Sequence, residues 1–538
     1  VLFWDRGLAR SVLSKLTFRS KQLGLPGKLA IPVLVVAFFF LQSFLVKQVN
    51  EEGNFEPSSV EETAAAEYER KYERLGVLPH PTYTHLDLEV DFMPVERRAT
   101  YTVSTSLTNY SPESIDSLYL SLPEKVQLLS IAQGEEQLDI SMVDEEHDMA
   151  IIALTTPMDT NAQISIELEM VKHFTGFTQA DPQAALMYKG AFASLEEYIP
   201  VLGYDSNKML EENRTRKEHE LEKLSSLLPE INSVENLSKN RYRSDASHLR
   251  GTMTISTVKG RTPVGSGTLI DTWSENDRTY AKYEVDSSGP LTWCIGSGPY
   301  SMDDQSDANI IYYDAKHPYN VELFRSLMRR SKEFVQAELG SYPYEKVRLY
   351  EIPYYQDALY AFPGGIALSE KEGWLADTTG LNEQAYLRFL IAKGMAEHWI
   401  QQNLFISDVQ GAGMLRLALP AAIALQFVEH ELGEDAVALL REPMMKLYNK
   451  DRFNDPNGEP SLLYADGKDY LEPNLGALTL YDWSKELGHA TLYTTVKEFS
   501  ESETQHTFNK LYQLLLEKTA NDRKQVWRYK FEVVAEVM

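Results

Sequence analysis

Cysteine is all but missing: Cys294 is the single one in 538 residues. That excludes an internal disulfide framework and any cysteine-rich metal cluster. Positive charge is in deficit too. The chain has 52 Lys and Arg against 79 Asp and Glu, a formal net charge of -27. Binding a nucleic-acid backbone needs clustered cations, so no nucleic acid is expected as a partner. Long apolar runs are scarce, with one exception: Leu29 to Val46, LAIPVLVVAFFFLQSFLV. It is uncharged and about the length a helix needs to cross a bilayer.

The flanks of that run agree with a membrane span. Arg6, Arg10, Lys15, Arg19, Lys21 and Lys28 precede it, and Glu51 and Glu52 follow Lys47 on the far side. The positive-inside rule then puts the N-terminus in the cytoplasm and the bulk of the chain outside. No small-x-small cleavage site follows the run, which argues against a signal peptide. Residues 1–28 read as a basic cytoplasmic segment resting on an anionic membrane face. Because the first residue is Val1, this segment is expected to continue a longer membrane protein, with a processed terminus as the alternative.

Residues 47–78 are rich in Glu and Ala and predict an exposed acidic juxtamembrane helix or linker, ending at Gly76 before Pro79 and Pro81. From residue 79 to 300 the pattern is period-two alternation, as in THLDLEVDF and QISIELEMV. This predicts half-buried antiparallel strands. The charged stretch 206–243 interrupts them and reads as a solvated helical excursion. Helical spacing dominates residues 301–450, with a strand-like KVRLYEIP and then FPGGIALSEKEGWL between helices. Residues 451–538 predict further helices and, from the alternation in WRYKFEVVAEV, a final strand. The expected fold class is α+β and multidomain: an antiparallel β-sandwich or saddle domain, then a thermolysin-like α/β-to-helical domain, behind one N-terminal transmembrane helix.

Three stretches in order carry a resemblance: DALYAFPGGIALSEKEGWL, LIAKGMAEHWIQQNLF and DVQGAGMLRLALPAAIA. Together with the preceding β-rich region, they resemble the alanyl-aminopeptidase family of zinc metallopeptidases, the gluzincins. More narrowly, the order resembles the branch in which such a domain is fused to the transmembrane helices of an ABC transporter permease. The likeness runs over about residues 80 to 538 and implies a β-rich aminopeptidase N-terminal-like domain at 79–300 and a thermolysin-like catalytic domain at 301–450. The family binds zinc through H-E-x-x-H on a helix and a Glu on the next helix, with a Tyr nearby for the oxyanion. Carried over position by position, the first ligand falls on Lys393, the general base on Gly394 and the second ligand on Glu397. His398 and Trp399 follow. The third-ligand window holds Arg416 and Leu417, and the Tyr position falls on Pro473.

These residue types do not suit catalytic zinc, which takes three protein ligands and leaves one position open for water. A protonated lysine has no lone pair to give, and a glycine cannot accept a proton. The family's zinc is therefore expected to be absent, with no metal ligands and no catalytic residues retained. Lys393 and Glu397 are i and i+4 on one helix face and are expected to pair where the metal would sit. The resemblance also implies that Tyr354, Tyr355, Asp357, Tyr360, Glu370 and His398 line a peptide cleft. The expected function is a pseudopeptidase: a membrane-anchored, periplasmic or otherwise extracytoplasmic scaffold or protein- and peptide-binding module of a permease-type assembly. Its expected partners are the membrane, other envelope or transporter proteins, and extended peptides. An active zinc aminopeptidase with a rebuilt metal site is the alternative.

Overall fold

The computed structural model describes residues 25–51, 57–140, 143–174, 186–187, 190–246, 248–306, 309–353 and 359–534. They form two compact units, one holding the N-terminal apolar helix and the other nearly everything beyond residue 58. Helix α1 spans Leu25–Val46 and continues into a short π-helical turn, Lys47–Glu51. It is long and apolar enough to cross a membrane. Its large apolar side chains, Phe38, Phe39 and Phe40 among them, are exposed. The basic segment expected over residues 1–28 lies almost wholly outside the described residues.

Helix α2, Ser58–Tyr72, occupies the predicted acidic linker but is not the exposed helix expected there. Ala66, Tyr68, Glu69 and Tyr72 are buried on one face. Glu69 takes a bidentate ion pair from Arg216, at 2.8 and 2.5 Å. The Tyr68 hydroxyl accepts the Asp205 amide at 2.9 Å, with Tyr68 stacked on Tyr204. The Glu-rich composition conceals this stripe because only four residues of the helix face inward, which suffices to dock three turns.

The alternating stretches form strands as expected. Strands β1 (Thr82–Met93), β2 (Arg98–Thr108), β3 (Gln163–His173), β4 (Leu249–Val258) and β5 (Arg278–Gly289) make the middle of an eight-stranded sheet, in the order β5-β4-β1-β2-β3. Leu86, Leu88, Val90 and Phe92 of β1 point to the core while Glu89 faces solvent. Each such apolar side chain contributes about 1.5–3 kcal/mol by leaving water. The β1–β4 pairing is parallel and the neighbouring pairs antiparallel. Two four-stranded sheets complete this half.

The stretch 206–243 is not a solvated helical excursion. It holds a few short turns of helix, Asn213–Glu218 and Val234–Leu237 among them, in otherwise irregular chain. Arg216 and Arg243 within it are buried. Arg243 forks onto Asp245 at 2.7 and 3.0 Å, and Asp245 in turn accepts the Leu202 amide at 2.7 Å. Burying charges is costly unless both partners are satisfied, and these are.

A five-stranded mixed sheet opens the second half: β6 (Tyr300–Ser306), β7 (Asn309–Asp314), β8 (Val347–Ile352), β9 (Leu359–Phe362) and β10 (Gly365–Ser369), in the order β6-β7-β8-β10-β9. Strands β7, β8 and β10 run parallel, with antiparallel strands at both edges. Pro363 and Gly364 turn β9 into β10, and Gly364 has φ +83, the left-handed conformation that suits glycine second in such a turn. Helix α3, Val321–Leu339, crosses from β7 to β8. Helix α4, Leu381–Asn403, is apolar around most of its girth and is buried accordingly. With α5 (Leu419–Leu432) and α6 (Glu434–Asn454) it packs into one large core that also takes in the C-terminal helices.

Over its described part the last expected strand is a helix, Lys524–Glu532, and its end from residue 535 lies outside the described residues. Trp527 and Phe531 lie four apart, so one helical face carries both to the core, where Trp527 stacks on Trp483 at 5.2 Å. A short apolar run fits both periods, and packing decides between them.

Candidate functional site

Helix α4 presents the positions singled out by resemblance. Lys393 Nζ lies 3.3 Å from Glu397 Oε2, with only 18% and 14% of the two side chains exposed. They are one turn apart, and the pairing needs no backbone adjustment. Gly394 is buried between them in sequence but on another face, against the β9–β10 hairpin. A Cβ built there would sit 3.1 Å from both Ile366 Cγ2 and Leu359 Cδ1. Strands β9 and β10 therefore fill the space a side chain at residue 394 would need.

Arg416 and Leu417, in the π-helical turn Met414–Ala418 before α5, line a cleft of about 1510 Å³. Its walls come from the chain just before β1, from the irregular stretch 206–243 including Lys239 and Arg241, and from the loops at Asp408 and Asp466–Asp469. Arg241 pairs with Asp408 at 3.2 Å on one wall, where the two segments are joined backbone to backbone. The Arg416 guanidinium lies over the Tyr242 ring, 5.6 Å from its centre. Burial pushes the Tyr242 phenol well up, the Glu397 carboxylate adds to this, and Arg416 opposes it. Pro473 is half-buried in the π-helical turn Leu471–Gly476.

The other expected cleft residues are placed differently. His398 is fully buried and structural. The Gly364 amide donates to its Nε2 at 3.1 Å, so the ring proton sits on Nδ1 and faces the Tyr342 hydroxyl at 2.8 Å. That hydroxyl donates onward to the Met395 carbonyl at 3.1 Å. Burial, with Arg348 and Lys332 nearby, holds the imidazole down to about 3. His398 ties α4 to the hairpin instead of lining the cleft, and a helix-face count of i and i+1 cannot reveal that. Gln401 adds a second tie, donating to the Ala361 carbonyl at 3.1 Å. Tyr360 is half-buried and donates to Ser194 Oγ at 2.7 Å. Glu370 contacts His317, away from the cleft lining. Tyr354, Tyr355 and Asp357 lie outside the described residues. Sequence reading missed Tyr242 and Arg241, which come from a segment without a motif, and Asp408, which opens the stretch DVQGAGMLRLALPAAIA but was given no role.

The side chains gathered here do not fit the family's catalytic zinc. The three ligand positions offer one carboxylate, already paired with Lys393, beside Arg416 and Leu417. The nearby imidazole, His398, has both nitrogens engaged. What the arrangement offers chemically is a wide cleft lined by the Arg416 guanidinium and the Arg241–Asp408 ion pair.

No protein-family model and no curated protein sequence matches the chain. Among solved structures, it is similar to an M1 zinc metallopeptidase from Deinococcus radiodurans, with a TM-score of 0.61 at 13% identity over 86% of this chain and 95% of that one. A variant of that enzyme, described as bound to a Tyr-Ser-Ala substrate, gives 0.60 at 13% identity over 85% and 96%. The β-sheet half, the mixed sheet and the helical half of this chain together have the fold of the M1 zinc metallopeptidases.

Proposed function

We propose that this protein is a membrane-anchored, extracytoplasmic aminopeptidase-like module that binds extended peptide or a protein partner without hydrolysing it, within an ABC-permease-type assembly. One observation carries the reading. At the positions that resemblance equates with metal and base, the fold holds a largely buried Lys393–Glu397 pair and a glycine packed under Leu359 and Ile366. A pair of that kind neutralises itself and leaves nothing to activate water. The cleft lined by Arg416 supports retained binding, and so does the tripeptide described in the structural neighbour.

The test uses the detergent-solubilised full chain. Aminoacyl-anilide substrates are expected to show no turnover with added zinc, and labelled tripeptides are expected to bind and to bind about fivefold or more weakly after Arg416→Ala, the order of one lost charge-assisted contact. Turnover that disappears with chelator and in Glu397→Ala overturns the reading in favour of a rebuilt zinc site.

A further inference from the structure

A second group of chemistry-bearing side chains lies on the mixed sheet, apart from α4 and the cleft. His317 follows β7 by three residues, Glu351 sits within β8, and Glu370 directly follows β10. The parallel register places Tyr312 of β7 beside Tyr350 of β8, and Ile352 of β8 beside Ser369 of β10. All three residues therefore meet at the carboxyl ends of the parallel strands, where open α/β sheets commonly bind ligands.

The geometry is compact. Each residue can offer one ligand atom so that all three atoms lie within 4.8 Å of one another. His317 Nδ1 is 3.0 Å from Glu351 Oε1, and Nε2 is 3.1 Å from Glu370 Oε1. A third carboxylate, Asp314, stands 3.9 Å from Nε2. Glu351 is only 6% exposed, and its other oxygen accepts the Asp314 amide at 2.7 Å, so its orientation is set by the backbone. The Tyr300 hydroxyl holds the Glu351 carbonyl at 2.8 Å.

Charge and hydrogen bonding are incomplete as they stand. Among the described residues, no Lys or Arg pairs with Glu351 or Glu370. A protonated imidazole would still leave the carboxylates in excess. His317 Nδ1 is shut off from solvent and makes no hydrogen bond of acceptable geometry, despite the nearby Glu351 oxygen. A divalent cation answers both at once: it takes the lone pair of His317 Nδ1 and balances the charge of the carboxylates. Donor atoms bound at about 2.0–2.2 Å lie roughly 3–3.5 Å apart, which the 3.0 Å between His317 Nδ1 and Glu351 Oε1 matches. Glu370 is 30% exposed and leaves a way in.

We propose that His317, Glu351 and Glu370 form a binding site for a divalent transition metal of the Zn²⁺ or Mn²⁺ class. The mixed nitrogen and oxygen donor set favours these over Mg²⁺ or Ca²⁺, which take oxygen ligands. The site joins the ends of β7, β8 and β10.

The test is metal binding by the full chain in detergent, stripped with chelator and dialysed against Zn²⁺. The expected result is about one equivalent retained per chain, with affinity falling about tenfold or more in both His317→Ala and Glu370→Gln and unchanged in Glu397→Gln. Co²⁺ in place of Zn²⁺ is expected to give a visible ligand-field band that His317→Ala abolishes. Glu370→Gln replaces a partly exposed side chain and keeps the comparison valid if His317→Ala misfolds, which far-UV circular dichroism reports. No retained metal overturns the proposal, and so does retention indifferent to both variants. Retention that depends on Glu397 instead overturns it and, if accompanied by chelator-sensitive turnover, overturns the non-hydrolytic reading as well.

Discussion

Gly394→Ala and Gly394→Glu probe how firmly the hairpin closes over α4. In an unhindered helix interior, Ala in place of Gly stabilises by about 1 kcal/mol. Here the new Cβ meets Ile366 Cγ2 and Leu359 Cδ1 at 3.1 Å, inside the roughly 3.5–4.0 Å at which carbon atoms attract. Overpacking of this degree costs about 1–3 kcal/mol. The two effects leave Gly394→Ala between neutral and about 2 kcal/mol less stable. Glu adds a carboxylate pressed against two aliphatic side chains and loses several kcal/mol more. Urea and thermal unfolding, followed by far-UV circular dichroism in detergent, measure both. If the Ala variant gains the full helix-propensity benefit, or the Glu variant melts with the parent, the hairpin does not seal this position. The structural ground for a missing general base then fails with it.

Two further perturbations test buried charges. Glu472 is fully buried, accepts the Gly467 amide at 2.8 Å, and is pushed by burial up to about 7. Its proton is held in the folded state and released in the unfolded state between pH 4.5 and about 7, so stability from this group falls as pH rises through that window. The difference is about 3 kcal/mol, and Glu472→Gln is expected to raise the melting point at pH 8 and leave it unchanged near pH 4; equal shifts at both values would refute the assignment. Glu69→Ala strands the buried Arg216 and is expected to cost about 3–5 kcal/mol, whereas Glu69→Leu with Arg216→Met recovers most of it. Limited proteolysis within α2 reports the undocking, and an α2 that stays protected in Glu69→Ala shows the pair to be dispensable.

What the sequence revealed follows from which interactions are local. The strands of the first sheet were readable because Leu86, Leu88, Val90 and Phe92 alternate with polar residues along a single strand. Helix α4 was visible in the helical spacing that dominates residues 301–450. The Lys393–Glu397 contact was legible because i and i+4 spacing fixes the distance. Partners brought together by the fold were not legible. His317, Glu351 and Glu370 come from the ends of three strands, and Arg416 meets Tyr242 from a segment whose charge suggested solvent. The inward face of α2 escaped because a Glu-rich helix needs few apolar residues to dock. The terminal WRYKFE stretch reads equally well at period two and at i, i+4, and Trp483 on another helix settles it.

The hydrogen-bonded chain through His398 has a consequence for behaviour in acid. Its Nε2 faces an amide that can only donate, so a second ring proton has nowhere to point, and the imidazole stays neutral down to about 3. The unfolded chain takes that proton near 6.5, so each pH unit below this costs about 1.4 kcal/mol. Glu472 runs the opposite way, gaining at a similar slope as pH falls from about 7 to 4.5. Between 4.5 and 6.5 these two contributions to the stability of the whole fold oppose each other. Below 4.5 the carboxyl has nothing further to give, and His398 adds to the loss from carboxylates held below their usual range, Asp455 and Glu429 among them.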